Sequence, residues 1–366
     1  MAVKRVFILA GEASGDVLGA EFLRALRAVQ PDWYFDAWGG PELSRALGKP
    51  VLRGLESLAF MGFLDVLRNS RRVLANLREA KAILEEPWDL VLLVDYPGFN
   101  LRLAKWMAKR PWRSERRVVQ LVAPSVWAWK ESRVEILAKA FDAVIPLLPF
   151  EPDFLQQRGV NAPYFGHPAL DRYESDSSTS QSIGLVLAPG SRRSELERLV
   201  PVFAATAERM GQIPLWIRPS SWTETQYRVL LRGILNAEPR GTIAQGMGSA
   251  KGARLALVAS GTATLELGIL GIPMVVAYRV DPLSFAIAKR LVRVKHVSLV
   301  NLVLGRGAVA EHLQESCNPE NLARELQKIN AEGPERAQML DDLAEFRSML
   351  GDSGAMDRIA HYVLSL

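Results

Sequence analysis

Apolar residues fall along the chain in short unbroken runs, each followed by a stretch where they recur every three or four positions. Residues 6–10 form such a run. The turn 11–15 follows, and from Val17 onward Leu18, Phe22, Leu26 and Val29 keep helical spacing. Leu90–Val94, 118–122 and 143–148 repeat the theme with helical stretches between them. Runs without alternation belong to strands covered on both faces, so the pattern predicts a parallel sheet flanked by helices. The rhythm breaks at residues 171–182 (DRYESDSSTSQS), a polar, serine-rich stretch that reads as a linker. It restarts with strands at 183–188, 215–217, Leu255–Ala259 and Met274–Tyr278, and with helices from about Glu195, Thr264, Pro282 and Pro319. The predicted fold class is α/β: two Rossmann-like domains, 1–170 and 183–344, with a cleft at the carboxyl ends of their sheets. The helical tail from Arg336 to Leu366 packs on either half.

Composition narrows the chemistry. Of 366 residues 49% are hydrophobic and 23% charged, enough for a sizeable core and against disorder. A single cysteine, Cys317, excludes an internal disulfide framework and a cysteine-built zinc site. Four scattered histidines without HxH or HExxH argue against a histidine-built metal centre, so neither metal nor other cofactor is expected. The formal charge of +5 and the pI near 9.3 suit nucleic acid, an anionic membrane or a phosphorylated substrate alike. No nucleic-acid-binding motif accompanies that charge, and a nucleic-acid partner is not expected. The amino-terminal apolar run is too short for a signal peptide, and no stretch approaches the ~20 apolar residues that cross a bilayer. The chain reads as cytoplasmic, soluble or seated on a membrane surface.

Two strand-to-helix turns compete as a nucleotide site, and charge separates them. Gly11-Glu12-Ala13-Ser14-Gly15-Asp16 has glycines ahead of a helix, but its spacing is not GxGxxG. Glu12 and Asp16 also put carboxylates where a pyrophosphate would lie; at ~5 Å and an effective dielectric near 20, like charges repel by roughly 3 kcal/mol. A hydroxyl-rich sugar suits this turn better, with helix capping by Ser14 or Asp16 as the structural alternative. The turn Ser260-Gly261-Thr262-Ala263-Thr264-Leu265-Glu266 has hydroxyls, a glycine and no carboxylate before Glu266. Its free N–H groups and helix dipole favour an anion, and Glu266 is placed for ribose hydroxyls. Gly190-Ser191-Arg192-Arg193 closes another strand with a glycine and two guanidiniums, whose forks match phosphate oxygens. Surface pairing to Glu195 or Glu197 is the alternative for these arginines. Together these turns place a nucleoside diphosphate on the second domain and the other substrate on the first.

Asp95 stands just past the carboxyl end of Leu90–Val94, in Asp95-Tyr96-Pro97-Gly98-Phe99-Asn100. It is the candidate general base. The loop Pro124-Ser125-Val126-Trp127-Ala128-Trp129-Lys130 carries paired tryptophans that either fill the core or wall an acyl or sugar pocket. From Phe60 to Leu84, Val66, Leu67, Val73, Leu74, Leu77 and Leu84 make an apolar stripe beside Arg68, Arg71, Arg72, Arg78 and Lys81. That pattern fits a helix on an anionic membrane and equally an ordinary packed helix with a basic face.

These motifs, in this order, resemble the lipid-A-disaccharide synthases, inverting glycosyltransferases of family 19. The likeness is carried by AGEASGDVLGA, MGFLDVL, DYPGFN, APSVWAWK, LPFE, GHP, PGSRRSE, ASGTATLE, PMVVAYR and SLVNLVLGR. It implies a GT-B fold without a metal-binding DxD, a homodimer with exchanged C-terminal segments in which 345–366 joins the N-terminal domain, and peripheral attachment to the cytoplasmic face of the inner membrane. The implied reaction joins UDP-2,3-diacylglucosamine to 2,3-diacylglucosamine 1-phosphate, giving a β-1,6-linked disaccharide and UDP; another GT-B UDP-sugar transferase or a UDP-sugar epimerase is the alternative. The family's catalytic positions fall on Glu12, Asp95, Arg192 and Asn301. UDP-sugar binding falls on Gly190, Ser191, Arg192, 260–264, Glu266 and Arg279, with an acceptor and acyl region at Ser14, Gly15, Asp16, Met61, Phe63, Ser125 and Trp127. The sequence departs from the family pattern at Gly98, where an aspartate is usual, and at Val300, where proline is usual; the second change is expected to loosen the loop presenting Asn301.

Overall fold

The computed structural model describes residues 3–58, 70–174, 183–220, 222–281, 285 and 295–366. The chain divides into two compact units, 1–168 with 352–366, and 169–351. In unit 1 the strands are β1 (Arg5–Ala10), β2 (Tyr34–Gly39), β3 (Arg53–Gly54), β4 (Leu90–Val94), β5 (Arg117–Leu121) and β6 (Ala143–Ile145). Between them run α1 (Ala13–Val29), α2 (Pro41–Leu47), α3 (Leu55–Leu58), α4 (Ser70–Glu85), α5 (Pro97–Met107), α6 (Val134–Ala140) and α7 (Glu151–Gln156). Unit 2 holds α8 (Ala169–Glu174), β7 (Leu185–Ala188), α9 (Arg193–Arg209), β8 (Leu215–Arg218), α10 (Glu224–Leu235), β9 (Thr242–Gln245), β10 (Leu255–Ala259) and α11 (Thr262–Ile269). It continues with β11 (Met274–Tyr278), α12 (Leu299–Leu304), β12 (Ala310–Leu313), α13 (Pro319–Asn330) and α14 (Pro334–Met349). The chain then returns to unit 1 as α15 (Ala355–Ser365).

Both sheets are parallel, and both have the same winding. Their orders are β3-β2-β1-β4-β5-β6 and β12-β11-β10-β7-β8-β9, so β7 stands to unit 2 as β1 stands to unit 1. This is the doubly wound order expected of Rossmann-like domains, whose ligands bind where the winding reverses. Each reversal lies between the first strand and its neighbour: β1 beside β4, and β7 beside β10. Along β1 the pleat sends Val6, Ile8 and Ala10 to one apolar cluster and Phe7 and Leu9 to the other, which is why the run has no polar alternation.

The predicted strands are present, with ends adjusted by local chemistry. The run at 143–148 stops at Ile145 because Pro146 offers no N–H to the ladder. Strands that the apolar pattern does not announce complete the sheets. β3, β9 and β12 are short or polar edge strands, and β2 is interrupted by Asp36, whose carboxylate is held by Lys49 at 2.6 Å.

Two expectations change and one open alternative is resolved. Residues 171–174 are not linker but the end of α8, tied to unit 2 by the Arg172–Glu266 ion pair at 3.7 Å; residues 175–182 lie outside the described residues. The return to unit 1 comes at Asp352 rather than 345, because α14 runs on through Met349 with Phe346 fully buried against α11. On α4 the packed-helix alternative is the one seen, so here no expectation is overturned: Val73 and Leu84 are buried and Leu77 packs on the core, leaving only Leu74 of the described stripe exposed. Val66, Leu67, Met61 and Phe63 lie outside the described residues.

Candidate active site

In unit 1 the winding reversal brings two carboxylates together. Glu12 follows β1 as the residue ahead of α1, and Asp95 follows β4. Asp95 and Tyr96 both adopt left-handed backbone, with φ of 47° and 49°, a conformation that costs non-glycine residues energy and recurs at functional sites. The turn is held on every side. Asp95 N donates to the Leu121 carbonyl at 2.9 Å, while the Asp95 carbonyl accepts from Asn100 Nδ2 at 2.6 Å and Gln120 Nε2 at 3.1 Å. The Tyr96 ring stacks on Phe99 and its hydroxyl donates to the Leu58 carbonyl at 2.6 Å. Gly11 lies under that ring, and a Cβ there would run into it.

The fixed turn leaves the Asp95 carboxyl half-buried beside another negative charge. Burial, and then the Glu12 carboxylate, push its pKa from 3.8 to about 6, against a smaller opposing effect of the Tyr96 N–H. Such a carboxylate is a stronger base than an ordinary aspartate and still largely ionised at neutral pH.

Other unit 1 expectations divide. Ser14 is exposed on the first turn of α1 and Gly15 is buried under it. Asp16 is buried and accepts from the amides of Gly40 (2.7 Å), Glu42 (2.9 Å) and Leu43 (3.0 Å), so that it caps α2. Ser125 is exposed. Trp127 is half-buried, edge-on to Phe150, with its Nε1 donating to Glu151 Oε1 at 2.9 Å. Trp129 is exposed under Lys130 and Arg133, so it is no core filler. Glu151 is a residue the chemistry-led reading of the sequence passes over, visible there only as the last letter of LPFE. It is buried, and desolvation first, with Asp95 as a lesser cause, raises its pKa to about 7 against the bonds from Trp127 and the 147–148 amides. Gly98 stands exposed in the first turn of α5 with open space around it.

In unit 2 the reversal sets two turns side by side at the ends of β7 and β10. Gly190 needs its φ of 107°, and a Cβ there would strike Glu195. Ser191 and Arg192 are exposed, with Arg192 Nη1 on Glu195 Oε1 at 3.0 Å and Arg193 Nε on Glu197 Oε1 at 2.9 Å. Both arginines therefore carry the surface pairing considered from the sequence; Arg192 is nonetheless presented at the turn. Gly261, φ 145°, opens onto free space at the start of α11, whose first turn has no acidic residue. Thr262 is exposed and Ala263 half-buried. Ser260 Oγ donates to the Val297 carbonyl at 2.7 Å and Thr264 Oγ1 to the Gly261 carbonyl at 2.8 Å, fixing the turn from both ends. Glu266 faces α8, where burial raises its pKa and Arg172 and Tyr173 oppose the shift. Arg279 is half-buried just past β11.

Asn301 is enclosed by protein. It is 1% exposed, and its amide is committed to protein: Nδ2 donates to the Val309 carbonyl and Glu311 Oε1, and Oδ1 accepts from Ala308 and Val309 N, all at 2.8–2.9 Å. It holds the segment after α12. Nor does Val300 loosen this region: it is fully buried, close to Gly268 of α11. Among the described residues no group of three histidine, cysteine or acidic side chains is placed to hold a metal ion, and no helix is long and apolar enough to cross a membrane.

Likeness of fold does not choose among enzymes. The chain superposes on a putative UDP-N-acetylglucosamine 2-epimerase from Listeria monocytogenes (TM-score 0.65, 15% identity, 98% of this chain and 95% of that one). It superposes comparably on CalG4, the calicheamicin glycosyltransferase (TM-score 0.61, 14% identity, 100% and 98%). Both establish the GT-B-type α/β fold and no more. Sequence decides. The family model for lipid-A-disaccharide synthetase matches residues 6–356. The chain belongs to that family. A lipid-A-disaccharide synthase of Trichlorobacter lovleyi is 36% identical over 393 aligned residues, covering 99% of this chain and 97% of the relative. Membership of the lipid-A-disaccharide synthetase family spans both winding reversals described above.

Proposed function

We infer that this chain is a lipid-A-disaccharide synthase, a hexosyltransferase that joins UDP-2,3-diacylglucosamine to 2,3-diacylglucosamine 1-phosphate and releases UDP. The observation that carries the mechanism is Asp95: a carboxyl with a raised pKa, in a strained and braced turn at the reversal of the unit 1 sheet. Asp95 takes the proton of the acceptor 6-hydroxyl, and that oxygen attacks the anomeric carbon on the face opposite the departing UDP. One base acting on one face inverts configuration in a single displacement. Glu12 keeps Asp95 basic and orients the acceptor. In unit 2 the amides at the start of α11 and the Arg192 guanidinium, which Glu195 holds at the mouth of its turn, receive the diphosphate and stabilise charge growing on it. Glu266 and Arg279 flank the nucleoside, and Asn301 supports from behind.

The deciding experiment is UDP release from the diacylated donor with and without acylated sugar phosphate, wild type against Asp95→Asn. Acceptor-dependent release with a disaccharide product, reduced by about 10²–10⁴ in the variant, is the expected result. Release that ignores the acceptor would return the epimerase reading.

Attachment to the cytoplasmic face of the inner membrane is supported by Arg71, Arg72 and Arg78, exposed on α4 with Leu74 among them. Flotation with anionic vesicles but not neutral ones is expected, and equal flotation with both would refute the electrostatic part. The homodimer is tested by light scattering. Exchange of C-terminal segments would keep the same seat, α15 against α1 in the cluster with Met356, Ile359 and Val363, with the partner's copy in place of the chain's own.

A further inference from the structure

One nearly enclosed carboxylate of unit 2 takes no part in the reaction as derived. Glu311, on β12, has a side chain only 10% exposed. Its Oε1 accepts from Ser298 N at 2.8 Å, Asn301 Nδ2 at 2.9 Å and Val297 N at 3.2 Å, and Oε2 accepts from Val297 N at 3.1 Å. One side chain of the sheet thus grips 297–301, the entry and first turn of α12, by three separate donors. That segment in turn holds the turn after β10. The Val297 carbonyl accepts from Ser260 Oγ, and Leu299 N donates to Thr264 Oγ1 at 3.2 Å. The contacts run without a gap from β12, through 297–299, to the first turn of α11.

We propose that Glu311 is a positioning residue for nucleotide binding. By clamping 297–301 it fixes the hydroxyls of Ser260 and Thr264, and with them the α11 amides that receive the nucleoside diphosphate. The inference rests on the reading that unit 2 binds UDP at this turn. Donors aimed in advance bind charge without reorganising, so what aims them contributes to affinity without touching the ligand. Glutamine in place of Glu311 loses the charge that strengthens all these bonds and, with its oxygen at the Oε1 position, sets an NH₂ group against the Val297 N–H that Oε2 accepts from.

The test is calorimetric titration with UDP, together with KM for the UDP-sugar and for the acceptor and a melting curve, on wild type, Glu311→Gln and Glu311→Asp. Glu311→Gln should weaken UDP and raise the donor KM about tenfold while the acceptor KM stays within about twofold; Glu311→Asp, which keeps the charge, should recover part of the loss. An unchanged UDP Kd in a folded Glu311→Gln variant overturns the proposal. So does a loss that affects both substrates equally in step with a lower Tm. If Glu311→Gln does not fold, Ser260→Ala and Thr264→Val cut the same link from its other end; weaker UDP binding in either supports the proposal, and unchanged binding in both sinks it. Wild-type protein that fails to bind UDP would overturn the reading of the turn itself, a result distinct from a variant that binds as well as wild type.

Discussion

In the proposed reaction Asp95 serves as the base because its surroundings disfavour its charged form, and that has consequences in both activity and stability. Transfer requires the carboxylate, so kcat/KM should fall tenfold per pH unit below about 6, measured as a pH–rate profile. Glu12→Gln should move this limb to lower pH but not as far as 3.8, because burial, the larger cause, remains. A carboxyl whose pKa is raised by folding stabilises the fold at pH values below its unfolded pKa and loses that contribution as pH rises through its folded value. Asp95→Asn should therefore lose activity yet gain stability at pH 8, by up to about 3 kcal/mol, with the gain vanishing near pH 4 in urea titrations. At this scale the sequence is informative about where a residue stands and poor about where its side chain goes. Asp95 at a strand end is legible, since a strand run followed by a turn fixes its position. The destinations of Asp16 and Asn301 are not, because their partners, the 40–43 amides and the 308–309 amides with the Glu311 carboxylate, lie on other elements whose approach depends on tertiary packing.

Elements meet through turns that tolerate little change. Asp16 belongs to α1 but serves α2, so Asp16→Ala should cost about 2 kcal/mol in chemical denaturation and leave UDP affinity unaltered. Unaltered stability would contradict the capping role. Gly11→Ala should be more damaging to activity than to fold: the added methyl meets the Tyr96 ring, which is part of the turn that aims Asp95. A drop in kcat of tenfold or more, with a Tm shift of only a few degrees, is the outcome to look for. Apolar strand runs and glycine turns made these elements readable in advance. The edge strands β9 and β12 were not, because an edge strand needs no continuous apolar run, and β12 carries Glu311 for reasons found only in its neighbours.

At the scale of the whole molecule, two sheets of identical winding put the proposed catalytic turns at the reversals; the strand–helix rhythm made the two parallel sheets legible, but not the strand order, which depends on strands the apolar pattern does not announce. Less visible was the return of the chain. α15 contributes Met356, Ile359, Ala360 and Val363 to the core that also covers β1, although it lies more than 300 residues further along. Removing 352–366 should leave α1 open to hydrogen exchange while β7 and β10 stay protected. Equal protection of α1 with and without the segment would show that α15 is dispensable.

That return also imposes an order on the birth of the protein. Unit 2 is continuous in sequence, and the ribosome delivers it whole; unit 1 must wait, with the seat for α15 on its first helix unfilled, until all of unit 2 has been made. At a synthesis rate of about 5–20 residues per second, the gap corresponds to on the order of ten seconds or more of exposed apolar surface. A message cut short before residue 352 would yield unit 2 whole and unit 1 without α15, a product for the chaperones and proteases of the cell.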